Sequence, residues 1–111
     1  MAAKSDDEVP KGAAVLPVIP EELGVDPLLL AVLHATIFFD GSEENVVNQR
    51  AAREAMEYMA DYLRRLSGPR LAKVHEDLAC LAAFAREEGW RKEQIQFFKE
   101  FLENFGVGEK N

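Results

Sequence analysis

Residues 27–39 run for thirteen positions without a charge. Asp26 supplies an N-cap and Pro27 fits the first helical position, so the stretch opens as a helix. At about 100° per residue, Leu28, Leu29, Leu30, Val32, Leu33, Ile37, Phe38 and Phe39 point in every direction. His34 and Thr36 are the polar interruptions. A helix that is apolar all round belongs at the centre of a core or between subunits. It is too short to span a membrane, which takes roughly 20 apolar residues.

The rest of the chain is organised around that helix. Asn48 caps a second helix to about Leu66, with the stripe Ala52, Ala55, Met56, Met59, Tyr62, Leu63 and Leu66. Its charged side carries Arg50/Glu54, Arg53/Glu57 and Asp61/Arg65, each four apart and each expected to pair. Ser67-Gly68-Pro69 reads as a helix stop followed at once by a start. The third helix then runs to about Glu88, with Leu71, Val74, Leu78, Leu81, Ala82 and Ala85 as its main stripe. Gly89 ends it, and Trp90 is placed to staple onto Ile95 or nearby. The fourth helix, to Phe105, has Ile95, Phe97, Phe98, Phe101, Leu102 and Phe105 on its apolar arc. Short links favour antiparallel neighbours. The expected fold is therefore all-α: a four-helix antiparallel bundle-like domain over residues 26–106, with helices at about 26–39, 48–66, 69–88 and 91–105.

Residues 1–25 read as an extended acidic arm, with Pro10, Pro17 and Pro20 breaking any helix. Residues 1–12 are expected to be disordered, and residues 107–111 form a tail. Ala13–Pro20 is apolar and extended. It either lies along a groove of its own domain or serves as a PxxP ligand, although Lys11 is a distant basic anchor for the latter.

The 111 residues hold 20 acids and 13 bases, a formal charge of −7. All of the excess lies in the first 47 residues, because residues 48–111 hold equal numbers of each sign. An acidic chain is a poor binder of phosphate backbones. Asp40, Glu43 and Glu44 form a candidate acidic surface for a basic partner, or a solvated loop.

Motifs for chemistry are missing from the sequence. Neither His34 nor His75 has a glutamate three residues earlier, as a di-iron bundle requires, and no His-Glu-x-x-His occurs. The segment from Asp40 fails as a calcium loop, with Asn45 where glycine is needed and Ala51 where glutamate is needed. Cys80 and His75 lie about 140° apart on one helix and do not share a face. His34 is expected to be hydrogen-bonded at the core edge, and His75 to be partly exposed. No phosphate loop occurs. No catalytic, metal or cofactor residue is assigned, and no cofactor is expected. A lone cysteine and a polar, acidic start suit a cytoplasmic protein without a secretory signal.

What remains is surplus apolar surface. Cys80 and Phe84 sit among Lys73, Glu76 and Glu87 on a face expected to be wet, and Phe97 falls at the edge of its stripe. The candidate interface is Leu29, Leu33, Cys80, Phe84, Phe97 and Phe101. The competing possibility is that the arm, or Val46 and Val47, covers these patches. The expected role is non-catalytic: a protein–protein contact, with homodimerisation and no membrane insertion. Two alternatives stay open. One is a helix-turn-helix DNA binder using Arg91, Lys92 and Gln94, weakened by the four phenylalanines and three glutamates of that helix. The other is an enzymatic or apolar-ligand-binding bundle.

Overall fold

The start signals act where they stand in the chain. Asp26 caps α1 (Pro27–Gly41) by accepting the Leu28 amide at 2.9 Å, and Asn48 caps α2 (Gln49–Leu63) by accepting the Ala51 amide at 2.9 Å. Pro69 lies in the first turn of α3 (Gly68–Glu87). α4 (Lys92–Asn104) opens with the Arg91 amide donating back to Gln94 Oε1 at 3.1 Å. This is a computed structural model that describes residues 11–108. Among the described residues all regular structure is helical, in a four-helix bundle-like arrangement.

Two boundaries differ from expectation by more than one residue. α1 continues through Asp40 and Gly41 and is closed by Ser42. α2 ends three residues early, at Leu63, and Arg64–Leu66 form turns instead. Arg64 there donates from Nε to the Phe105 carbonyl at 2.9 Å, which ties the end of α2 to the end of α4.

α3 and α4 end in the same way. After α3, the Trp90 amide reaches the Ala85 carbonyl (2.9 Å) and the Gly89 amide reaches that of Arg86 (3.2 Å). After α4, the Val107 amide reaches Leu102 (2.9 Å) and the Gly106 amide reaches Glu103 (3.0 Å). These are Schellman closures, which place the residue after the helix in the left-handed region and so favour glycine. Gly89 and Gly106 have φ of 74° and 71°. Each closure turns an apolar residue inward. Val107 is buried, so it belongs to the domain and not to a free tail. Trp90 meets Phe84 edge-on at 5.8 Å and, near the expected Ile95 on α4, Phe98 at 6.1 Å.

α3 packs along α4, and Gly108 after α4 comes back beside Leu71 at the start of α3, so the two run antiparallel. α1 packs on α2. The buried cluster draws Leu78, Leu81, Ala82 and Ala85 from α3, Phe98, Phe101 and Leu102 from α4, and Leu29 and Leu33 from α1. α2 buries only Ala52 and Ala60, and neither belongs to that cluster. Tyr62, expected in its stripe, is 62% exposed. None of the three expected four-residue ion pairs of α2 forms. Asp61 pairs with Arg64 at 3.4 Å, and Arg65 lies over the Tyr62 ring at 5.0 Å.

The arm folds back on its own domain. Leu16 and Val25 are buried in the main cluster, with Ile19 and Leu23 packed against it. The Ala14 amide donates to the buried Ser42 Oγ at 2.9 Å, and the Glu43 amide donates to the Gly12 carbonyl at 2.9 Å. Gly41 makes this crossing possible, because a Cβ there would stand 2.9 Å from the Ala14 methyl. Expected disorder over residues 1–12 falls mostly on positions 1–10, outside the described residues.

Candidate interaction surfaces

A buried carboxylate, which pattern reading did not single out, fixes how α1 meets α3. Asp77 is 4% exposed. Its Oδ2 accepts the Asp26 amide at 3.0 Å, and its Oδ1 accepts from Lys73 Nζ one turn back. A buried carboxylate needs such partners to offset its lost hydration. That hydrogen bond and the Asp77 charge raise the Lys73 ammonium above its ordinary 10.5. The backbone entering α1 is thus pinned across α3. One signal of this was available: an acid beside the α3 stripe with a lysine four residues before it.

The residues expected to form an interface fall into two groups. Leu29, Leu33 and Phe101 are buried in the chain's own core, which corrects their assignment to a surface. An all-apolar α1 gives no directional cue, so the inward side is chosen by packing and not by the helix itself. Cys80, Phe84 and Phe97 are half-buried. Cys80 and Phe97 pack against the main cluster, and Phe84 is covered on one side by Trp90. Phe97 continues an aromatic series through Phe101 (5.7 Å) to Phe105 (5.0 Å from Phe101). Both contacts join residues one turn apart along α4, the first edge-on and the second tilted.

Asp40, Glu43 and Glu44 are exposed at one end of the bundle, as a candidate acidic surface requires. Asp40 is not isolated from the chain's own cations. It lines one cleft with Arg53 and Arg64, and a second with Arg91 between the arm and the start of α4. His34 is exposed, not hydrogen-bonded at the core edge as expected. His75 is exposed on α3, and Cys80 lies round the other side of that helix. Among the described residues no three His, Cys, Asp or Glu side chains gather into a metal-holding group. Ser42 is occupied by the arm through Ala14, and Ser67 stands at the start of α3.

The largest exposed apolar side chains lie elsewhere. Leu28 on α1 is 72% exposed, and Tyr58 on α2 is 64% exposed. Leu28, Ala31, Ala35 and Phe38 lie round the side of α1 away from Leu29 and Leu33. Tyr58 and Tyr62 occupy the flank of α2 opposite the one that faces α4 through Met56, Ala60 and Arg64. The outward side of α1 carries no charge, whereas Tyr58 and Tyr62 on α2 stand among the exposed Glu54, Asp61 and Arg65. Among the described residues no helix is long and apolar enough to cross a membrane. The outward side of α4, the helix a DNA-binding reading would use, mixes Lys92, Glu93, Lys99 and Glu103. No protein-family model, curated protein or solved structure matches the chain.

Proposed function

We propose that the chain is a non-catalytic, cytoplasmic protein-binding module that self-associates through the outer face of α1 and α2. The observation that carries this reading is the exposure of Leu28 on α1 and of Tyr58 and Tyr62 on α2, a helix that buries only Ala52 and Ala60. Two copies of a chain with charge −7 repel each other over most approaches. The uncharged face of α1 is where that repulsion is least and the apolar gain is largest. Tyrosine suits such a contact because it offers wide apolar area with only two side-chain torsions to fix.

The size of the face sets the strength. Helices of fifteen residues are about 22 Å long and about 10 Å wide, so two side by side offer about 400 Å² per copy. A standard interface takes about 800 Å² from each partner. Association is therefore weak and depends on concentration. Light scattering after gel filtration, from micromolar to millimolar chain, should show the mass rising from one chain toward two. Tyr58→Glu with Tyr62→Glu should hold it at one chain with helical content unchanged. A single-chain mass at every wild-type concentration, or a dimer indifferent to both changes, would overturn the reading.

A further inference from the structure

The link from α2 to α3 reverses the sign of the chain. Arg64, Arg65, Arg70 and Lys73 fall within residues 62–75 with no acid among them, on a chain of charge −7. Arg64-Arg65 is the one place where two arginines adjoin, and Ser67 follows them at a distance of three and two positions. Ser67 is exposed and extended (φ −158°, ψ 169°), and its Oγ caps no amide of α3. The other aliphatic alcohols among the described residues are engaged. Thr36 is buried and donates to the Val32 carbonyl at 2.9 Å, and the buried Ser42 accepts the Ala14 amide at 2.9 Å. Space beside Ser67 is open, since a Cβ on Gly68 would meet nothing within 4 Å.

We propose that Ser67 is a phosphorylation site, modified by a protein kinase whose acidic substrate cleft selects arginine two and three residues before the hydroxyl. Charge patterns of this kind are how kinases tell one substrate from another. Carboxylates of the cleft meet Arg64 and Arg65, while the chain's acidic segments are turned away. The step is a phosphoryl transfer from a nucleoside triphosphate. Ser67 Oγ attacks the γ-phosphorus, the bond from that phosphorus to the β–γ bridging oxygen breaks, and the diphosphate leaves. The hydroxyl proton passes to the catalytic carboxylate of the kinase. Engagement asks little of the fold. The Arg65 and Leu66 amides bond only across tight turns, to Tyr62 and Leu63 at 3.0 Å each, and the Arg64 side chain leaves the Phe105 carbonyl. All three bonds lie at a helix end, where local opening takes the least free energy. The product is then held where it forms. Ser67 lines a hollow of about 420 Å³ with Arg65, Arg70, Tyr62, Leu63 and Leu66, and no carboxylate lines it. A phosphoryl group brings about −1.5 to −2 charges at neutral pH and three acceptor oxygens, so it pairs with both guanidiniums.

The test uses the full folded chain, the catalytic domain of an arginine-directed serine kinase, and magnesium ATP. The intact mass should rise by one phosphoryl group, placed on Ser67 by fragmentation, and Ser67→Ala should take none. Arg65→Glu changes an exposed side chain and keeps the fold, and it should slow incorporation about tenfold or more. In isotopically labelled protein the Nε signals of Arg65 and Arg70 should move on modification, while those of Arg53 and Arg86 stay. No label on the folded chain, label on Ser5 or Ser42 in place of Ser67, a rate indifferent to Arg65→Glu, or Arg65 and Arg70 signals that stay in place would each overturn the proposal. So would equal label from a kinase domain that selects acidic sites.

Discussion

The two helix pairs of this protein are built to different standards. α3 and α4 meet along their length, end in matched Schellman closures, and are braced by aromatic contacts from Phe84 through Trp90 to Phe98. α1 and α2 meet more sparsely, and α2 reaches the main buried cluster only through the half-buried Leu63. The composition of the helices does not explain this, because α1 is the most apolar of the four. Apolar content makes a helix buriable, and only a partner with complementary shape makes it buried. α3 and α4 bury their apolar faces against each other, whereas α1 buries Leu29 and Leu33 and leaves Leu28 in water.

Substitutions should separate the pairs sharply. Phe98→Ala should cost about 3–5 kcal/mol, as removal of a fully enclosed ring from a packed core does. Tyr58→Ala should stay within about 0.5 kcal/mol, the range for exposed positions. Chemical denaturation of both variants checks the contrast, and equal losses would erase it. Next in size is Asp77→Ala, which strands the Asp26 amide. It should cost about 1–3 kcal/mol, the penalty of a buried donor left without an acceptor. Asp77→Asn keeps an acceptor and should cost less, so the order of the two variants is the discriminating result.

Gly41→Ala comes third. Helix propensity alone favours alanine by about 0.5–1 kcal/mol. The Ala14 methyl, 2.9 Å from the new Cβ, should reverse that sign and speed proteolysis in the arm. A stabilised, protease-resistant variant would show that the arm yields freely.

The smallest effect concerns Lys73. Its ammonium is raised above 10.5 by the bond to Asp77, so the charged form is favoured in the folded state. That contribution is complete below 10.5 and is lost as pH rises through the folded value. Wild type and Lys73→Met should therefore differ by a constant amount at neutral pH, and the gap should narrow above 10.5. Half of the lysine side chain is in water (51%), so the gap is small.

How much of this could be read from the sequence depended on the range of each signal. Asp26-Pro27, Asn48, Gly68-Pro69 and Gly89 act on neighbouring backbone, and the helices begin and break where those residues stand. α2 stopped short because the Arg65 and Leu66 amides bond three residues back, to Tyr62 and Leu63, in tight turns instead of a further helical turn. On α1, periodicity cannot tell Leu28 from Leu29, since every direction is apolar, yet one is in water and the other is in the core. Phe84 looked stranded among charges until Trp90, turned back by Gly89, came to lie against it. Asp77 was not singled out in the sequence because its partner is 51 residues upstream. The elements were local properties. The surfaces were properties of the assembled chain.

The bond from Asp77 to the Asp26 amide has a consequence for how the molecule comes apart. It fastens the first turn of α1 to α3, whereas the arm before it is held by Leu16, Val25 and the bond from the Ala14 amide to Ser42. Breaking it should loosen residues 24–28 at the start of α1 while α3 and α4 keep their contacts. Such a segment behaves as one cooperative opening unit with a lower free-energy threshold than global unfolding. Its amides should exchange with solvent in a single early group, and only after them should those of Leu81, Phe98 and Phe101.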